Sequence, residues 1–353
     1  MPVYKIAIAG ASSLLGRELK DALSESPLAA ANFALLDEED AQGQLDQVGD
    51  EVTFIQALGA EAFDRADFTF FCGSEDLTRR HWRQALRAGS TVLDLSGALD
   101  QETGVLVRAP WLGGAAASAD LFTPAVVPAH PAALALALLM ERVQLAAPVR
   151  SAAATVLLPA SEFGRAAMDE LHQQTVNLLS FQTLPRTAYD AQAAYNLLSG
   201  LGEAATVSLD AAANRIRRHL EALTGAALTG ADGPALALQT ILAPVFHGHT
   251  FSIAVEMERP VEIAALEEAL SGERVDLVLE DTDSPSNLAA TGQNEVLVRL
   301  RPEIPKSGPL ARHPGSALRF WLWAASDNLR LAAQNAVECA LDLRRLRPQG
   351  TVQ

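Results

Sequence analysis

Two cysteines in 353 residues, Cys72 and Cys339, are too few for a disulfide scaffold and stand outside any metal-ligand spacing. Basic residues are short as well. Against 43 Asp and Glu there are 27 Lys and Arg, a formal charge of −16. That balance disfavours nucleic acid and anionic membrane as partners, because both are polyanions that need clustered cations. A long apolar run is also missing: "AALALALLM", Ala132 to Met140, ends at Glu141 and Arg142, well short of the roughly 20 residues that span a bilayer. It reads as a buried helix. The opening "MPVYKIAIAG" lacks the basic region, apolar stretch and cleavage site of a secretory signal. Together with the free thiols, this sets a cytoplasmic location as the expectation.

What is present begins with a strand, a glycine turn and a helix: "YKIAIA", then "GASSLLG", then "RELKDALSES". Apolar runs recur at "FALLD", "FTFFC", "TVLDLS" and "FTPAVVP", with a helical "DLTRRHWRQALRAG" between two of them. Strands alternating with helices imply a parallel, doubly wound α/β sheet up to about Pro128. From about Val149 the strands lengthen, as in "RSAAATVLLPA", "FSIAVEME" and "EVLVRLRP", and are mixed with helices at "GRAAMDELHQQTVNLL" and "SLDAAANRIRRHLEAL". A second, α+β domain with an open sheet is expected there. "SDNLRLAAQNAVECALDLRRL" carries Leu329, Ala332, Ala333, Ala336 and Val337 at helical spacing and should pack back on the first domain. "GGAAASA" reads as a small-residue loop and "RPQGTVQ" as a frayed end.

In the glycine turn, Gly10 and Gly16 flank Ala11, Ser12, Ser13, Leu14 and Leu15. Such a turn lets backbone approach a phosphate at a helix N-terminus, or else is a tight strand-to-helix turn with a serine cap. The second Rossmann glycine, expected near Ser12 or Ser13, is absent. At the end of the second strand stand Asp37, Glu38, Glu39 and Asp40. Carboxylates there accept a ribose 2′-hydroxyl and repel a 2′-phosphate, favouring NAD over NADP; a solvated acidic loop is the plainer reading.

"APVFHGHTFS" sets His247 and His249 two apart. On an extended strand both would face one side, as metal ligands, a base or core filler. No third ligand is visible in the sequence, and two histidines are incomplete for zinc. The expectation is therefore no metal.

"AIAGASSLLGREL", "PVFHGHT" and "WAASDNLRLAAQNAVECAL", with weaker "VLDLSGAL" and "QAAYNLL", resemble the aspartate-semialdehyde dehydrogenase family in order and spacing over nearly the whole chain. The resemblance implies a GAPDH-like architecture. It comprises a Rossmann-like dinucleotide-binding domain over 1–130, completed by a helix within 325–353, and an α+β dimerisation and catalytic-like domain over 131–324. It also implies NADP as cofactor, a homodimer, and reduction of β-aspartyl phosphate through a cysteine thioester, with a histidine handling the proton. On this comparison His249 matches the acid/base. Gly10, Ser12, Ser13, Leu14, Leu15, Gly16 and Asn328 match cofactor-binding positions.

The remaining positions depart from the family. The nucleophile position falls on His130 or Pro131, the glutamine on Leu158, the phosphate arginine on Asp100 and the substrate arginine on Leu242. Asp210 is the one acid near the substrate-glutamate position, and Arg217 and Arg218 lie in a stretch the family also makes basic. Cys72 and Cys339 read as buried structural thiols rather than relocated nucleophiles. The expectation is a family member similar to the Usg-type paralogues, without the semialdehyde activity but with the dimeric scaffold and nucleotide binding, NAD or NADP. One alternative is an NAD(P)-dependent oxidoreductase on a more apolar carbonyl compound, with His249 as acid or base. Against it stands the lack of a visible polar partner for that histidine. A second is a scaffold or partner subunit that binds no nucleotide; the sequence names no protein partner.

Overall fold

A computed structural model of the chain describes residues 4–49, 51–59, 61–112, 123–225, 236–279, 284–303, 307 and 315–346. The loop read at 113–119 and the end read at 347–353 lie outside them. The chain divides into two compact units, one formed by Met1–Ala129 with Ala332–Gln353, the other by His130–Leu331.

The first unit opens with β1 (Lys5–Ala9), α1 (Leu14–Ser24) and β2 (Asn32–Asp37). There follow β3 (Leu45–Val48), β4 (Glu51–Phe54), β5 (Gln56–Ala57), β6 (Phe68–Phe71), α2 (Glu75–Arg87), β7 (Thr91–Asp94), β8 (Leu106–Arg108) and β9 (Ala125–Pro128). Seven strands form a sheet in the order β5-β2-β1-β6-β7-β9-β8, and every pairing in it is parallel. Strands covered on both faces need no alternation, and β6, "FTFF", is buried at all its positions. Between β2 and β5 the antiparallel pair β3–β4 leaves Leu45, Val52 and Phe54 exposed.

The second unit begins with α3 (Pro131–Ala146). Its Ala132 to Met140 are all buried, so the alanine-leucine run is a helix enclosed on every side rather than an amphipathic one. Then come β10 (Val149–Leu158), α4 (Arg165–Leu179), α5 (Leu209–Thr224), β11 (Leu236–Leu242), β12 (His249–Glu262), α6 (Ile263–Leu270), β13 (Val275–Leu277), α7 (Asn287–Ala290), β14 (Val296–Glu303) and β15 (Ser316–Ser326). Their sheet runs β11-β10-β12-β15-β14-β13 and is mixed, with β10–β11 and β13–β14 parallel and the three inner pairings antiparallel. Along β10 buried and open positions largely alternate, as a sheet with one covered face requires.

The last helix, α8 (Asn328–Leu346), is capped by Asp327, whose carboxylate accepts the Leu329 and Arg330 backbone N–H groups, each at 3.1 Å. Further along, Ala333, Ala336, Val337, Cys339, Ala340 and Leu343 pack into the core of the first unit with Ile6, Ile8, Leu19 and Phe70. Asn335 donates to the Arg108 carbonyl, and Arg108 pairs with Asp342. The return of the closing helix to the first unit follows from this packing. Among the described residues no helix is long and apolar enough to cross a membrane.

Candidate functional site

Two places bring the expected site residues together, one in each unit. In the first, β1 ends at Gly10, whose φ is +83°. A Cβ there would lie 2.2 Å from the Gly73 nitrogen, and one on Gly16 would lie 2.4 Å from the Gly10 carbonyl oxygen. Both glycines are therefore required by close backbone approach before any ligand is considered. Ser13 caps α1: its hydroxyl accepts the Gly16 N–H at 2.9 Å and donates to the Cys72 carbonyl at 2.9 Å. Leu14 and Leu15, both half-buried, form the first turn of α1. The Ser12 N–H donates to Asp37 Oδ2 at 2.8 Å, and Asp37 Oδ1 accepts the Glu38 N–H. Asp37 is buried, while the neighbouring Glu38 pairs with Arg80 of α2. Of the acidic run, one member thus fastens the turn to β2 and the next engages an arginine.

The second place lies within the second unit. Glu162 sits on a short 3₁₀ turn, Ala160–Phe163, that follows β10. The Ala160 and Ser161 N–H groups donate to the Val245 and Phe246 carbonyls, tying this turn to the loop that leads into β12. Glu162 Oε1 lies 2.6 Å from His130 Nε2, and its Oε2 lies 2.9 Å from His249 Nε2. The two imidazole rings are stacked with centroids 5.8 Å apart. His130 caps α3: its Nδ1 accepts the Ala132 N–H at 3.2 Å, which places the ring proton on Nε2, facing Glu162. The His130 backbone N–H in turn donates to Nδ1 of the buried His219 at 2.8 Å. The fully buried His249 has no hydrogen-bond partner at Nδ1 among the described residues.

Burial alone would push the Glu162 carboxyl up, but the charge and hydrogen bond of His130, and then those of His249, outweigh it and hold the group well below the usual carboxylate range. Burial lowers His130 against the pull of Glu162, and Arg215 and His249 push in the same direction as burial. At neutral pH Glu162 is ionised.

Asn328 is buried between the two segments that carry this cluster. Its Oδ1 accepts the Gly248 N–H at 3.0 Å, and its Nδ2 donates to the Ser161 hydroxyl at 3.1 Å. Gly248, at φ +84°, has no room for a Cβ beside Asn287, and this left-handed residue corrects the reading of two histidines on one strand face. His247 precedes the strand, half-buried, and its carbonyl accepts from Asn287 Nδ2, while His249 opens β12. A second correction concerns the missing polar partner of His249, which Glu162 supplies. Among the described residues no group of three or more His, Cys, Asp or Glu side chains is arranged to hold a metal.

Leu158 and Leu242 are buried, Pro131 is the first residue of α3, and Asp210 is exposed on the first turn of α5. Arg217 is exposed and bonded to Asn214 and the Leu238 carbonyl; Arg218 is exposed as well. Cys72 and Cys339 are buried in the first unit, and desolvation pushes both thiols far up, away from the nucleophilic form.

Residues 5–133 match the model of the semialdehyde dehydrogenase NAD binding domain, and residues 143–331 that of the semialdehyde dehydrogenase dimerisation domain. The chain is 30% identical over 340 residues to a USG-1 protein homolog of Pseudomonas aeruginosa, covering 94% of this chain and 95% of that one. It is 22% identical to the aspartate-semialdehyde dehydrogenase of Rickettsia bellii, with 96% and 97% covered. The solved structure of a probable aspartate-semialdehyde dehydrogenase from Pseudomonas aeruginosa superposes with a TM-score of 0.81 at 26% identity, over 98% of this chain and 99% of that one.

Proposed function

The chain belongs to the semialdehyde dehydrogenase family, and we propose that within it this protein does not carry out the cysteine-dependent conversion of aspartate semialdehyde, while keeping a nucleotide site and a homodimeric scaffold. One observation carries the reading. The expected nucleophile position falls on His130 or Pro131, and neither is a thiol: Pro131 is the first residue of α3, and the buried imidazole of His130 is already bonded to Glu162. Neither thiol of the chain offers a substitute, since both are buried among apolar side chains with raised pKa values. Leu158 and Leu242 put hydrocarbon where the resemblance calls for a glutamine and an arginine, so orientation of a thioester and clamping of a carboxylate fail along with the attack.

The glycine turn fits a dinucleotide. The Gly10–Gly16 approach and the serine cap put the N-terminal end of α1, with its partial positive charge, directly after β1, which supports a pyrophosphate there. Gly10 and Gly16 would let the backbone approach it, Ser12 and Ser13, already bonded within the turn, would shape it, and the first-turn N–H groups of Leu14 and Leu15 would face it; the nicotinamide would supply hydride chemistry. Asp37, with Glu38 neutralising Arg80, favours the 2′-hydroxyl of NAD over the 2′-phosphate of NADP. The match to a dimerisation domain supports a homodimer, to be checked by light scattering.

Arsenate-dependent oxidation of aspartate semialdehyde with NAD or NADP tests the first part; no rate is expected, and turnover would overturn the reading. Thermal shift tests the second, because a nucleotide at 100 times its Kd stabilises by about 2.7 kcal/mol. No shift with either nucleotide would leave a scaffold without a cofactor. One observation favours an oxidoreductase on a neutral carbonyl compound instead: His249 is oriented by Glu162 through Nε2, with Nδ1 unpartnered. NAD reduction by a panel of neutral alcohols separates that reading from the first.

A further inference from the structure

The space between His130 and His249 is built to hold a carboxylate. Two stacked imidazoles present Nε2 to one side, and the group between them accepts one hydrogen bond on each oxygen, at 2.6 and 2.9 Å. The donors are fixed independently of what they bind. The Ala132 N–H holds the His130 ring through Nδ1, while Asn328 pins the backbone immediately before His249 through Gly248. Both rings are buried, whereas the side chain between them keeps 11% of its surface. That side chain comes from a short turn rather than from the helix or the strand that carries the rings.

We propose that His130 and His249 form a carboxylate-binding site whose ligand in this chain is its own Glu162, so that external small carboxylates are excluded until that side chain is removed. The proposal rests on the reading that this position no longer hosts a nucleophile, since a thiol at 130 would take away one of the two donors. It gives Glu162 a definite role. A negative charge already bonded to both Nε2 atoms repels any acidic acyl compound from the place where His249 would have to meet it, an effect that Arg215, close enough to act on His130, offsets only in part. The ionised state of Glu162 agrees with this role, because a carboxylate held by two imidazole N–H donors is the charged form that such a site selects.

Shortening the side chain tests it. Glu162→Ala leaves a gap of acetate size with both donors in place. Thermal unfolding of the intact protein is followed against sodium acetate and, at equal ionic strength, sodium chloride. Glu162→Ala should melt lower than the parent protein, and acetate at about 100 mM should restore at least about 3 °C beyond chloride, saturably. The parent protein and Glu162→Gln should not distinguish the two salts. If folded Glu162→Ala responds to acetate no more than to chloride, the proposal is wrong. A variant that folds only in acetate supports it.

Should the variant fold in neither salt, nitrogen and carbon NMR of the parent protein decides. Both rings protonated at Nε2 around an ionised Glu162 support the site, and any other arrangement overturns it. Arsenate-dependent turnover of aspartate semialdehyde would sink the functional reading while leaving the acetate response untouched, so the two can fail separately.

Discussion

The glycine turn of the first unit and the histidine cluster of the second differ from the pattern the sequence leads one to expect in opposite ways. In the turn the sequence looks degraded, with a glycine missing near Ser12, yet the geometry is intact: Gly10 and Gly16 make close backbone contacts, Ser13 caps α1, and Asp37 ties the turn to β2. In the cluster His249 stands where the resemblance expects a histidine, yet the group it meets is Glu162. A turn is held by backbone, which tolerates many side chains. A reactive centre is held by side chains, and losing one leaves its partners to be re-satisfied.

Four measurements would break or sharpen that contrast. The largest effect belongs to the turn. Gly10→Ala combines a left-handed φ with a 2.2 Å approach to Gly73 and should cost about 3–5 kcal/mol in urea unfolding; a loss under about 1 kcal/mol would mean the turn is slack. Next, Glu162→Leu strips the carboxylate from both imidazoles and should cost about 3 kcal/mol. Equal stability would show that the cluster is not held by this group.

The third measurement is pH dependence. His130 is lowered from its ordinary value of 6.5 and Glu162 from 4.5, so the unfolded chain binds protons that the folded one does not. The stability these groups contribute is present above those values and lost on acidification, beginning near pH 6.5 and steepening below pH 4.5. Arg215 and His249 on neighbouring elements reinforce the His130 part. Glu162→Gln should remove the steeper portion; a protein that gains stability between pH 7 and pH 5 contradicts this assignment. The smallest effect is at the α1 cap, where Ser13→Ala should lose about 1 kcal/mol in the same unfolding assay.

Much of the first unit is legible from its residues, because parallel strands buried on both faces appear as uninterrupted apolar runs, as in "FTFF" and "AVVP". Helices with serine caps, such as α2 behind Ser74 and α5 behind Ser208, are found to within a residue or two. β11 and β15 escape. "LALQTIL" carries a polar pair at its centre, and the buried and open positions of "SALRFWLWAAS" are irregular along a strand that lies between two others. Glu162 escapes for a different reason. It meets partners 32 and 87 positions away, a juxtaposition that no local spacing encodes, and a lone acid two residues before a glycine reads as an ordinary turn. The usable signal is subtler: an acid four residues beyond Leu158, where the resemblance expects a glutamine, in a chain with His249 at the expected histidine and no cysteine at 130 or 131.

The shared carboxylate also bears on how such a protein can change over time. Replacing His130 with cysteine alone would take one of two donors from a buried anion, so the variant is less stable. Replacing Glu162 first leaves two buried imidazoles with unmet donors. Each single substitution within the cluster therefore costs stability before a second one can compensate. The cluster acts as a ratchet, its members held in place by one another through the fold itself.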